Sequence, residues 1–188
     1  MNENLSEKDL LAECRNGSRE AFEMFFYQNQ KRVFSVALNF FGGDSLIAED
    51  ITQQVFLKIF THLENFRGEA AVTTWLYRLT TNACIDEQRK KKRFSFFSDI
   101  FGFNEPKIKI TPSEKFESRE VSVEVQKALA TIDAKFRLPI LLKYVEGLSY
   151  REIAEVLDCS EGTIASRLNR GNKLLARKLE HLKGEVLR

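Results

Sequence analysis

A chain of 188 residues with 43% apolar and 30% charged side chains can bury one ordinary core or two small ones, and its 9 Gly and 3 Pro leave room for few turns and many long helices. Three scattered cysteines (Cys14, Cys84, Cys159) and two isolated histidines (His62, His181) exclude a disulfide framework and any zinc-type ligand spacing. The net charge of +2 excludes nothing by itself. Its distribution is informative: Arg89-Lys-Lys-Lys-Arg93 is uniformly basic, residues 160–188 hold seven Lys/Arg against three acids, and residues 43–65 hold one Lys against four acids.

The polar opening Met1–Lys8 lacks the pattern of a secretory signal, and no apolar stretch approaches the ~20 residues a membrane span needs. The expectation is a soluble, reduced, cytoplasmic protein. Residues 5–93 read as helix. Phe22, Phe25, Phe26, Val33, Val36, Ala37 and Phe40 recur at three- and four-residue steps and form one apolar stripe. Gly42-Gly43-Asp44 breaks it. Ile47, Ile51, Val55 and Ile59 then mark a helix over about 46–63, and Phe66-Arg-Gly-Glu69 a second break. A third long helix runs from about Val72 to Arg93, and all share a core with Trp75.

Residues 94–122 contain Gly102, Pro106, Pro112 and no sustained period, which reads as a connection. Phe94, Phe96, Phe97, Ile100, Phe101 and Phe103 are apolar for a free linker. They form either a short amphipathic turn packed on the first domain or a surface for a partner. The helical pattern returns at Val123. The fold class expected is all-α: an N-terminal helical bundle (1–93) and a C-terminal helix-turn-helix domain (123–188), joined by a flexible linker (94–122).

Ser149-Tyr-Arg-Glu152 has the form of a capping box, Ser160 caps the next helix, and Ala154 and Ile164 stand at helix-turn-helix spacing. At about 100° per residue, Ile164, Leu168, Leu175 and Leu179 form a buried stripe. Thr163, Ser166, Arg167, Arg170, Lys173 and Arg177 share the opposite side without an acid, and Asn169 flanks them. Arginine forks suit guanine edges, and a helix N-terminus suits phosphate oxygens. A second donor-rich stripe, Arg78, Asn82, Asp86, Arg89 and Arg93, steps along the helix that begins near Val72 and ends in the basic run.

Ala48-Glu-Asp-Ile-Thr-Gln-Gln-Val-Phe-Leu57, Phe66-Arg-Gly68, Thr74-Trp-Leu-Tyr-Arg78 and Asn82 together resemble the second conserved region of bacterial sigma factors. Leu148-Ser-Tyr-Arg-Glu-Ile-Ala154 and Gly162-Thr-Ile-Ala-Ser-Arg-Leu168 resemble their fourth. With only these two regions, the chain resembles the extracytoplasmic-function subgroup. The resemblance implies a promoter-specificity subunit of RNA polymerase with no catalysis of its own and no cofactor. It implies docking on the clamp coiled coil of the polymerase largest subunit through Asp50, Gln53, Gln54, Phe56 and Leu57. The minus-ten element would be held as single-stranded DNA by Trp75, Arg78, Asn82, Asp86, Arg89, Lys90 and Arg93, with one base flipped into a pocket. The minus-thirty-five duplex would be read by Ser160, Thr163, Ser166, Arg167, Asn169, Arg170 and Lys173. An anti-sigma factor is the further partner implied, with no membrane insertion by the chain itself, though that partner could hold it at the membrane.

Two departures stand out. Ala70-Ala-Val-Thr73 replaces a loop that often carries an aromatic and an Arg, and Ala165 stands where Arg is common. A stand-alone helix-turn-helix regulator would explain the C-terminal half but not the second stripe. An enzyme is poorly served, with no nucleophile–base set and no phosphate loop.

Overall fold

The computed structural model describes residues 6–63, 71–101 and 119–180, and every regular element among them is helical. In chain order these are α1 (Glu7–Arg15), α2 (Arg19–Phe40), α3 (Ser45–Thr61), α4 (Val72–Phe101), α5 (Arg119–Ala130), α6 (Ala134–Tyr144), α7 (Tyr150–Val156) and α8 (Glu161–Lys178). The Phe66–Gly68 motif, most of the loop preceding Thr74, and the stretch 102–118 lie outside the described residues. So do residues 181–188.

Side-chain caps set the helix starts. Ser6, Ser18, Asp44, Ser149 and Ser160 each accept a hydrogen bond from the main-chain N–H three residues on. Asp133 accepts from Lys135 at the start of α6. Such caps satisfy helix N–H groups that otherwise lack partners, each stabilising by about 1 kcal/mol. Ser149 and Glu152 close the full reciprocal box expected from the sequence.

Helices α1–α4 form the N-terminal unit. Phe25, Val33, Val36, Ala37 and Phe40 of α2 are buried against Ile51, Val55, Phe56 and Ile59 of α3 and Leu76 and Cys84 of α4. Edge-on aromatic pairs, Phe25 with Phe56 (6.3 Å), Phe26 with Phe56 (4.7 Å) and Phe22 with Phe60 (5.0 Å), tie α2 to α3. The buried threonines Thr52, Thr80 and Thr81 return their hydroxyl protons to carbonyls four residues back, so no donor is stranded.

Helix α4 is longer than the sequence reading allowed. The basic run was expected to end it at Arg93, but it continues through the Phe-rich stretch to Phe101. Residues 94–101 contain no Gly or Pro, and Gly102 is the first residue that favours a stop. Phe94, Phe96 and Phe97 are exposed on this extension.

Helices α5–α8 form the C-terminal unit. Leu138, Ile140, Leu141 and Leu142 of α6 meet Ile153 and Val156 of α7 and Ile164 and Leu168 of α8. Between α7 and α8 the chain turns through Asp158 in the left-handed region (φ 48°), with the Cys159 N–H closing on the Ala154 carbonyl at 3.1 Å.

The two units are packed face to face. Gln126 donates to Asn39 (3.0 Å), and the carboxylate of Glu146 accepts from Ser35 on α2 and Tyr77 on α4, both at 2.8 Å. Arg137 of α6 enters the N-terminal unit, stacks over the Phe40 ring (4.1 Å to the centroid) and donates from Nη1 to the Phe40 carbonyl. Gly42 follows α2 with φ 68°, and a Cβ there would stand 2.9 Å from Ala130 Cβ of α5, so this corner needs glycine both for conformation and for space. Among the described residues no helix is long and apolar enough to cross a membrane.

Candidate nucleic-acid interface

Three helical faces carry the residues singled out by sequence. On α3, Asp50, Gln53, Gln54 and Leu57 are exposed on one side. Phe56 is not with them. It is 3% exposed and lies among Phe25 and Phe26, because the helical phase that turns Asp50 and Leu57 outward turns residue 56 to the core. The exposed aromatic on this part of α3 is instead Phe60, one turn on, to which no sequence motif pointed. Leu57 and Phe60 border a groove of about 760 Å³ that runs between α2 and α3 and is lined by Cys14, Phe22, Phe26 and Gln53. The face therefore combines a carboxylate, two amides and exposed apolar side chains beside a mainly apolar groove, which suits docking on a protein surface.

On α4, Asn82, Asp86, Arg89, Lys90 and Arg93 are exposed along one side, with Trp75 half-buried near its start. Asp86 and Arg89 stand 3.7 Å apart, and Lys90 pairs with Glu87 at 3.5 Å. The first pair is exposed at both ends and the second at its lysine, so each stabilises little. Gln54 and Lys58 of α3 share a shallow groove of about 270 Å³ with Asp86, Lys90 and Arg93, which joins the α3 and α4 faces into one surface. Arg78 departs from this set. It is half-buried, with Nε and Nη2 both donating to the Glu155 carbonyl at 2.8 and 2.6 Å.

On α8, Ser166, Asn169, Arg170 and Lys173 face solvent, while Ile164, Leu168 and Gly171 face inward. The buried stripe thus differs from the expected one: Leu175 and Leu179 are only half-buried, and Gly171 sits at the closest approach to α6. Ser160 and Thr163 bond each other's hydroxyls at 2.9 Å while Ser160 caps the helix, so both lie at the helix N-terminus, where main-chain N–H groups point outward. Arg167 is turned away from the exposed face. It is half-buried against Cys159 and lines a cleft of about 360 Å³ with Arg89, Lys92, Asp133 and Lys135.

The electrostatics of the seam between the units were not legible in the sequence. Arg137 is 2% exposed, and burial pulls its guanidinium down to about 10. Its Nε and Nη2 find no hydrogen-bond partner. Tyr77 is pushed above the usual phenol range, first by burial and then by its bond to Glu146. Burial pushes the Cys84 thiol up to about 12, the nearby Arg137 charge opposing it. None of these groups sits on the exposed faces. Among the described residues, no cluster of His, Cys, Asp and Glu is suited to a metal ion.

Residues 25–94 match the family described as Sigma-70 region 2, and residues 122–175 match Sigma-70, region 4. The chain is 27% identical to the ECF RNA polymerase sigma-E factor of Haemophilus influenzae over 190 residues, covering 97% of this chain and 100% of the relative. It is 28% identical to the ECF RNA polymerase sigma factor SigW of Bacillus subtilis over 188 residues, covering 93% of this chain and 97% of the relative. Its fold is similar to that of the sigma factor RpoE solved in complex with the anti-sigma factor NepR from Bartonella quintana, with a TM-score of 0.68 and 24% identity over 85% of this chain and 96% of that one.

Proposed function

The chain belongs to the sigma-70 family of RNA polymerase sigma factors, in its extracytoplasmic-function subgroup, and we propose a division of labour among its three exposed helical faces. It is a promoter-specificity factor for transcription initiation. In our reading α3 docks on the clamp coiled coil of the core polymerase through Asp50, Gln53, Gln54 and Leu57, with Phe60 added as an apolar anchor and Phe56 acting from the core beneath. The α4 face takes the minus-ten element as opened single strand, its cations gripping phosphates while Asn82 and Trp75 lie where a base would be held. The α8 face reads the minus-thirty-five duplex in the major groove, Arg170 and Asn169 toward base edges and the helix N-terminus toward phosphates.

The observation that carries this reading is the presence of two donor-rich helical faces on one chain, with a docking-type face joined to one of them through the groove between α3 and α4. The chain would supply specificity and polymerase the chemistry. It would act in the cytoplasm beside polymerase. A structurally similar sigma factor was solved with an anti-sigma factor, which supports such a partner here. Phe94, Phe96 and Phe97, exposed on α4, are its candidate contacts.

The test is run-off transcription with core polymerase on fragmented DNA from the native genome. Discrete start sites that appear only with the chain present support the reading. Their absence from every fragment refutes it.

A further inference from the structure

We propose that the cleft bounded by α4, α6 and α8 is a binding site for a nucleoside polyphosphate. Arg89, Lys92, Lys135 and Arg167 would hold its phosphates, and its base would lie on the apolar wall between them. The site needs none of the DNA contacts proposed above.

The basic run of α4 is not one patch. At about 100° per residue, Ile85, Gln88, Arg89 and Lys92 fall within about 100° of one another, while Asn82, Asp86, Lys90 and Arg93 centre about a quarter-turn away. The two grooves beside α4 follow this phase. Asp86, Lys90 and Arg93 line the one shared with α3. Ile85, Gln88, Arg89 and Lys92 line the cleft of about 360 Å³ that faces α6 and α8. Lys91 lies over the Phe41 ring at 5.9 Å instead.

Lys135 enters the same cleft from α6 and Arg167 from α8, so four cations converge from three helices. The one acid among the described residues lining it, Asp133, already accepts from the Lys135 main-chain N–H at 3.0 Å as the cap of α6. Gathering like charges in a concavity raises the local positive potential, which a bound polyanion relieves.

Charge alone would suit any phosphate, and the wall is what selects. Ile85, Leu138 and Leu157 line the cleft between the cations, with the Gln88 amide beside them. A phosphodiester backbone gains nothing from such a wall, whereas the flat face of a base is desolvated against it. The amide offers both a donor and an acceptor to a base edge. The volume lies in the lower part of the ~300–1,000 Å³ range of small-molecule sites, too small to admit a duplex.

The test is isothermal titration calorimetry of the intact chain with ATP, tripolyphosphate and adenosine as probes, at ~0.15 M salt. The wild-type chain is expected to bind one ATP, more tightly than tripolyphosphate, with adenosine weakest. Lys92→Ala and Lys135→Ala should each weaken ATP binding about tenfold, the scale of a lost charge-assisted hydrogen bond. Lys8→Ala removes the same charge from an exposed position on α1 and should leave ATP binding unchanged. All three lysines are exposed, so circular dichroism should match wild type in every variant. Absence of binding at about 1 mM ATP would overturn the proposal. An equal loss in the Lys8→Ala chain would reduce the effect to net charge and remove the cleft from it. Equal affinity for ATP and tripolyphosphate would contradict the role of the wall, and with it the nucleoside. A short single-stranded DNA that depends on Lys92 and Lys135 where ATP does not bind would assign the cleft to the opened strand instead.

Discussion

Helix α8 crosses α6 at Gly171, where a methyl group in place of hydrogen would stand 2.8 Å from Ile140 Cδ1 and 3.1 Å from the Phe136 carbonyl. A glycine inside a helix ordinarily costs about 1 kcal/mol relative to alanine, so its presence here reflects the crossing and not the helix. The crossing in turn fixes the angle at which Arg170 and Lys173 leave the surface.

Gly171→Ala should therefore destabilise the chain in spite of its better helix propensity. Overpacking typically costs about 1–3 kcal/mol, which exceeds the propensity gain at its upper end. Urea unfolding should show a lower midpoint than wild type. An equal or higher midpoint would mean that α6 and α8 move apart without penalty.

The capping box of α7 makes a prediction in pH. Its two bonds hold the Glu152 carboxyl below the ordinary value of 4.5, the Ser149 hydroxyl being the larger cause. A carboxylate with a depressed folded pKa contributes stability that is present above its unfolded value and lost as pH falls through the folded one. Ser149→Ala should cost about 1 kcal/mol at neutral pH. The difference between the two chains should shrink below pH 4.5. A gap that is unchanged into acid would remove Glu152 from the account.

Thiol chemistry reports on the core. Cys84 is buried with its thiol raised to about 12, so its contribution to stability is full below the ordinary value of 9.0 and lost as pH climbs from there toward 12. The folded chain at pH 8 should leave Cys84 unlabelled by a thiol reagent until denaturant is added. Mass spectrometry of labelled peptides checks this, and prompt labelling of Cys84 would show that the α4 core opens freely.

Much of the fold could be read locally. The Ser149–Glu152 box, the Ser160 cap and the Gly42-Gly43 break depend on near neighbours, and each is where the sequence placed it. The errors arose where phase or distance decides. Phe56 sits within the motif of an exposed face, but its helical phase points to Phe25 and Phe26. Arg167 shares a composition with Arg170 but lies beside Gly171 on the helix, and so turns to the seam. Ser35, Tyr77 and Glu146 carry no signature at all. They are joined across 111 and 69 residues of sequence, and such separations leave no periodic trace.

The exposed faces separate by mutation. Asp50→Ala should weaken co-purification with core polymerase and leave the circular dichroism spectrum unchanged, since Asp50 is exposed. Arg170→Ala should cost about 1–3 kcal/mol at a minus-thirty-five sequence if it contacts a base, and far less on unrelated duplex. An equal loss on all duplexes would reassign Arg170 to a phosphate.

On the proposed function, α4 and α8 read two separate DNA elements while polymerase fixes the distance between them. The most direct measurement takes a promoter found by run-off transcription and lengthens the spacer between its two elements in single base-pair steps. Transcription should collapse within a few steps, since each adds about 3.4 Å of rise between the two sites. Transcription that persists unchanged as the spacer grows would contradict it.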